Sequence, residues 1–213
     1  MEFITKLVQY IIENNSELLY LSIEHLLMVA YGIGLALVVG IPLGVIAAKF
    51  DKLAPIIISL TNILQLIPSL AMLAILMLYL GFGFETIVVG LFLYSLLPIV
   101  KNTYVGIKEV DDSIIEAGVG NGMTTFQLLL KIQFPLSIPF LLAGIRLAAV
   151  IAISVATLGP YVGAGGLGKE IISGISLQHD VKIYAGAILA TLMAIIADLI
   201  LGTVERKSKR RLA

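Results

Sequence analysis

The chain has no cysteine, so disulfides and thiolate metal sites are excluded. Charge is also scarce: Asp, Glu, Lys and Arg are 13% of the 213 residues, against 59% hydrophobic. Soluble domains carry about 25% charged residues. With a mean hydropathy of +1.06, the sequence holds more apolar surface than a soluble domain of this length can hide. Catalytic motifs are missing as well. There is no Walker A loop, no His-Glu-x-x-His and no Gly-x-Ser-x-Gly, and no acid, base and nucleophile set is visible, so a membrane enzyme is the weakest class. Residues 1–17 are polar and partly acidic without a basic n-region, which predicts no cleavable signal peptide.

What remains is greasy and segmented. Five apolar stretches, at about residues 21–48, 53–80, 86–104, 140–158 and 183–203, are each long enough to cross a bilayer. The fold class expected is an all-α membrane protein of about five transmembrane helices. The second stretch is overlong and carries Pro68 with Asn62, Gln65 and Ser69. Divided at Pro68 it gives two pieces too short to cross, which predicts one kinked span. Asn62 and Gln65 are about one turn apart and share a face. Lipid penalises such groups, so that face turns to protein or to a water-filled path. Gly40 and Gly44 form a small-xxx-small pair, read as close helix packing. His25 and His179 lack ligand spacing and read as interfacial residues. Tyr79, Phe82 and Phe84 read as an aromatic belt, with a cation–π contact to a quaternary ammonium as the sharper alternative.

The longest polar insertion runs from residue 116 to 135. Ser113 with Glu116, and Thr124 with Gln127, are spaced as capping boxes. Gly118, Gly120 and Gly122 lie between them, where a missing Cβ permits a tight turn or close approach. Two short helices joined by glycine are predicted, with Leu128, Leu129, Leu130 and Ile132 as a docking face for a cytoplasmic partner.

Glu116-Ala117-Gly118, then Gly122, then Ile132-Gln133-Phe134-Pro135 resembles the coupling signature of permease subunits in binding-protein-dependent ABC importers. That family usually has Ala where Gly118 stands and Leu where Phe134 stands; both changes keep size class or apolarity. The resemblance extends from about residue 26 to 202. Gln65-Leu66-Ile67-Pro68-Ser69-Leu70-Ala71, the run from Leu93 to Tyr104, and Val162-Gly163-Ala164-Gly165-Gly166-Leu167-Gly168 are similar to the branch that imports glycine betaine, carnitine, choline and relatives. The resemblance implies the type I importer permease fold and two permease subunits, identical or not, around one path. It also implies ATPase subunits that bind ATP and Mg and dock on the insertion, and a substrate-binding protein outside. No cofactor in this chain and no nucleic-acid partner are implied. Glu116 would be the polar contact or cap of the coupling helix, Gly122 its hinge, and Pro135 the break before the fourth span. Gly163, Gly165, Gly166 and Gly168 would lie beside the external gate. They are no phosphate loop, since no strand precedes them and no Lys-Ser/Thr follows. Asn62, Gln65 and Pro68 would border the translocation path. The alternatives are a methionine-type amino-acid importer, with the same loop and span plan, and an ATP-independent secondary transporter or channel, which an inverted repeat would favour; none is found.

With the insertion cytoplasmic, the inner side holds Lys49, Lys52, Lys101, Lys108, Lys131, Arg206, Lys207, Lys209, Arg210 and Arg211, and the outer side only Lys6, Lys169 and Lys182. This positive-inside bias predicts an extracytoplasmic segment at 1–20 and a permease domain at 21–203 with its cytoplasmic loop at 105–139. A basic tail at 204–213 follows, anchored at anionic headgroups. Arg146 and Asp198 fall within spans four and five, each about 8–9 Å from the inner surface at 1.5 Å per residue. Equal depth on antiparallel helices suggests an ion pair, within the subunit or across the dimer; separate snorkelling is the alternative.

Overall fold

The computed structural model describes residues 2–212, and these contain helices but no strand. The α-helices are α1 (Glu2–Glu13), α2 (Asn15–Lys49), α3 (Ala54–Leu66), α4 (Ser69–Leu80), α5 (Phe84–Lys108), α6 (Asp112–Gly120), α7 (Thr125–Leu128), α8 (Phe134–Ala156), α9 (Gly168–Ser176) and α10 (Asp180–Leu212). A π-helical turn, Leu129–Gln133, joins α7 to α8, and a 3-10 turn, Gly159–Val162, follows α8. Four runs are long and apolar enough to cross a membrane: Asn15–Lys49, Phe84–Lys108, Thr125–Ala156 and Asp180–Arg210. The fifth crossing is the pair α3 and α4, bent by 97°.

Glycine contacts give the direction of each helix. A Cβ on Gly32 would lie 2.6 Å from Leu91 Cβ, on Gly40 2.9 Å from Ile99 Cγ2, and on Gly44 2.5 Å from Thr103 Cβ. The two series rise together, so α2 and α5 are parallel and the chain returns once between them. Gly106 meets Ser137 and Phe140, while Gly144 meets Asn102 and Pro98, so α8 runs against α5. Between apolar helices in lipid, packing replaces water exclusion as the source of cohesion, which favours these small residues.

The second span is therefore one crossing but not one kinked helix. Ile67 (ψ 129°) and Pro68 (ψ 133°) are extended, because proline drives its predecessor out of the helical region and brings no amide of its own. The Tyr94 hydroxyl donates to the freed Ile67 carbonyl, and Gln65 Nε2 donates to the Tyr94 carbonyl at 3.5 Å.

Boundaries also move. Residues 2–13 are helical, and the Phe3 ring meets Tyr184 at 5.1 Å. The helix that carries the first span begins at Asn15, and the basic stretch from Arg206 to Arg210 continues the helix α10. Residues 1 and 213 of the expected end segments lie outside the described residues. The main core gathers Met28, Leu73, Ile87, Leu91, Ile153 and Val162 from five elements.

Candidate functional site

The α6–α7 hairpin lies at the end of the bundle where α2, α5 and α10 finish. Asp111 caps α6: its Oδ1 accepts the Ser113 amide at 2.8 Å. Hydrogen bonding from Ser113, side chain first and amide second, holds the Asp111 carboxyl below the usual carboxylate range. The cap expected at Ser113 with Glu116 is thus two residues earlier, and Glu116 is left exposed beside exposed Ala117. Thr124 and Gln127 do form a reciprocal capping box, with Gln127 Oε1 accepting the Thr124 amide at 2.9 Å and Thr124 Oγ1 accepting the Gln127 amide at 3.3 Å.

The glycines divide by task. Gly118 is buried, and a Cβ there would lie 2.5 Å from Leu128 Cδ2 and 3.1 Å from Ile132 Cδ1. Gly122 is left-handed, with φ +80°, a conformation that favours glycine. Gly120 meets neither demand. Leu128 and Ile132 therefore hold the hairpin together. The apolar face left outward is Ile114, Val119, Phe126 and Leu130, between 42% and 68% exposed.

Pro135 is not a break. The helical run continues from Thr125 to Ala156, because the π-turn accommodates the proline: the Phe134 amide donates to Leu129 O, five residues back. Gln133, the buried last residue of this turn, accepts Lys49 Nζ at 2.5 Å. Lys108 meets Asp51 at 2.7 Å. The end of α2 thereby ties to both α8 and α5.

Deeper in the same half, Arg146 meets Asp198 bidentately, Nε to Oδ1 at 2.6 Å and Nη2 to Oδ2 at 2.8 Å, within one subunit. Arg146 Nη1 also reaches Glu205 Oε2 at 3.3 Å. Gly202 leaves room for the guanidinium, since a Cβ there would lie 3.0 Å from Cζ. On the broken span Asn62 and Pro68 are exposed and Gln65 is half-buried.

Residues 163–168 lie at the opposite end, with Gly163 (φ +76°) and Gly166 (φ +80°) left-handed. Gly168 abuts the Thr157 carbonyl, where a Cβ would overlap. His25 is fully buried and bonds Ile153 O at 3.0 Å, so the interfacial placing expected for it is corrected. His179 does stay at that end, its Nδ1 accepting the Lys182 amide at 3.2 Å. Glu170, 1% exposed, accepts from the Tyr10 hydroxyl at 2.8 Å and pairs with Lys182 at 3.5 Å. Burial first, and then the Glu170 carboxylate, push the Tyr10 hydroxyl above the usual tyrosine range. Sequence reasoning missed Glu24 and Glu205, and the contacts made by His25, Lys49 and Gln133. Of these only Gln133 stood within a motif already singled out.

A bundle of five crossings that projects a capped, glycine-jointed hairpin from one end is built as a multi-pass membrane transport subunit. In fold it is similar to the solved "Inward facing conformations of the MetNI methionine ABC transporter", with TM-score 0.78, covering 87% of this chain and 93% of that one, at 20% identity. The chain belongs to the family described as binding-protein-dependent transport system inner membrane component, whose model matches residues 40–210. Relatives include the carnitine transport permease protein OpuCD of Listeria monocytogenes, 48% identical over 99% of this chain and 97% of that protein. Another is the glycine betaine/carnitine/choline transport system permease protein OpuCD of Bacillus subtilis, 45% identical over 97% of this chain and 90% of that protein.

Proposed function

We propose that this chain is the permease subunit of an ATP-driven importer of osmoprotectants, namely glycine betaine, carnitine, choline or related quaternary ammonium compounds. The observation that carries the substrate class is likeness over nearly the whole chain to permeases named for those compounds. The likeness to the methionine transporter is at 20% identity and concerns the fold.

In this reading the α6–α7 hairpin faces the cytoplasm and seats Ile114, Val119, Phe126 and Leu130 on an ATPase subunit that binds ATP and Mg. A substrate-binding protein docks at the end carrying residues 163–168, which act as the outer gate. A second permease subunit completes the path, with Asn62, Gln65 and Pro68 on its wall. ATPase closure moves α6. The Gly118–Leu128 contact and the π-turn carry that movement into α8, and Lys49–Gln133 into α2. Alternating access follows when this movement favours one of two packings of the bundle.

Cells without other osmolyte uptake, given this chain with its partner subunits, are expected to grow in high salt when betaine or carnitine is supplied and to accumulate the radiolabelled compound. Accumulation of labelled methionine without betaine would replace the substrate class.

A further inference from the structure

Two consecutive residues of α2 grip the loop at the end opposite the hairpin. Glu24 is half-buried, and its Oε2 accepts the Gly166 amide at 2.9 Å. Gly165 has to lack a side chain for this contact, since a Cβ there would overlap the carboxylate. On Gly166 a Cβ would lie 2.6 Å from Met28 Cε and 3.0 Å from His25 Nδ1. Leu167, fully buried, seats the loop beside Leu21 and Ala190. Among the described residues no cation stands within ion-pair distance of Glu24; Lys169 goes to Glu17 at 3.9 Å instead.

A half-buried carboxylate with one amide donor and no counter-charge does two opposed things. Its charge-assisted hydrogen bond holds the loop down. Its lost hydration penalises the same position, a cost that disappears when the loop lifts and water returns. Opposed terms of this kind bring two positions of a segment close in energy, the condition for a gate that one ligand or partner can bias.

We infer that Glu24 is the latch of this loop, a positioning residue whose carboxylate closes residues 163–168 onto α2 and whose unpaired charge keeps the closure reversible. The inference rests on the proposed reading of the loop as the outer gate. A chain without cysteine gives a clean test. Ala164→Cys, half-buried within the loop, is introduced into the complete transporter in proteoliposomes and treated with a membrane-impermeant maleimide from either side. Glu24→Ala is expected to speed labelling from the outer side about tenfold in the resting complex, the effect of losing one hydrogen bond to a charged group. Glu24→Gln keeps an acceptor of the same shape and removes the pull of the charge toward water. It is expected to label no faster than the parent and to transport more slowly. A residue that merely supported the fold would loosen the loop in both variants. Equal acceleration in the two, or none in Glu24→Ala, overturns the latch. Labelling of the parent only from the face that carries α6–α7 overturns the outer-gate reading itself.

Discussion

Arg146 and Asp198 join α8 to α10 through two parallel hydrogen bonds of 2.6 and 2.8 Å, and Glu205 takes a third donor of the same guanidinium at 3.3 Å. One cation thus serves two carboxylates of α10, on either side of Gly202, which has no side chain to intrude. Removing either member of the close pair leaves a charge without its partner in a poorly hydrated place. Arg146→Ala and Asp198→Ala are each expected to lower the thermal midpoint of the detergent-extracted protein, and the double variant to lose less than the sum. Exchanging the two residues is expected to restore only part of the loss, because Glu205 would then face a carboxylate at 146. Adding Glu205→Gln to the exchange should improve it. Strict additivity of the two alanine changes would show that the pair contributes no coupling.

Helix contact through glycine gives a paired prediction on α2. Gly32→Ala puts a methyl 2.6 Å from Leu91 Cβ and 3.3 Å from its backbone, whereas Gly34 has nothing within 4 Å. The first change is expected to cost about 1–3 kcal/mol through overpacking. The second is expected to be neutral or slightly stabilising. Thermal unfolding of the two single variants in the same detergent checks the difference.

The hairpin should tolerate Gly118→Ala, because the nearest atom is the end of the flexible Leu128 side chain, but not Gly118→Trp, which would drive α7 off α6. Gly122→Ala is expected to cost about 1–2 kcal/mol locally from the left-handed backbone. Glu116→Lys changes only an exposed side chain and should leave insertion and abundance intact. Stimulation of ATP hydrolysis by loaded binding protein in the reconstituted complex is expected to fall sharply with Gly118→Trp and Glu116→Lys. Full stimulation in both would remove the hairpin from the coupling path.

Acid should loosen α6. The Asp111 carboxyl is held below its ordinary range by Ser113, so its cap contribution is fully present above the unfolded pKa and is lost as pH falls through the lower folded value. Proteolysis of the hairpin by an acid-stable protease is expected to rise only as the pH falls below the ordinary carboxylate range. In Asp111→Asn, which caps without titrating, the rise should be absent.

The spans were legible because each is a long apolar run, and the equal depth of Arg146 and Asp198 followed from counting rises. The Thr124–Gln127 box was legible because both partners lie within one turn. Glu24 and His25 were not. Their partners, Gly166 and Ile153, are more than a hundred residues away, and a polar residue near the start of a span looks interfacial until the packing is known. The bend at Pro68 was readable as a site but not in size, since proline fixes the local dihedrals while Tyr94, from α5, determines how the gap is filled. The π-turn before Pro135 was hidden for a related reason: a helix can absorb a proline by inserting one residue rather than ending.

The joint between α3 and α4 has a consequence for the solvent around it. Pro68 brings no capping side chain to α4, and the first amide of that helix to find an acceptor one turn back is Met72. Three amide groups ahead of it, on Ser69, Leu70 and Ala71, therefore sit uncapped partway through a crossing, next to half-exposed Leu70 and exposed Leu66. Hydrocarbon exacts several kcal/mol, roughly, for each such group left without a partner. Acyl chains are thus the one neighbour this surface cannot accept. The break marks where the lipid annulus around the protein has to be interrupted, and so divides the subunit's outline into a wall that belongs to the membrane and a wall that does not.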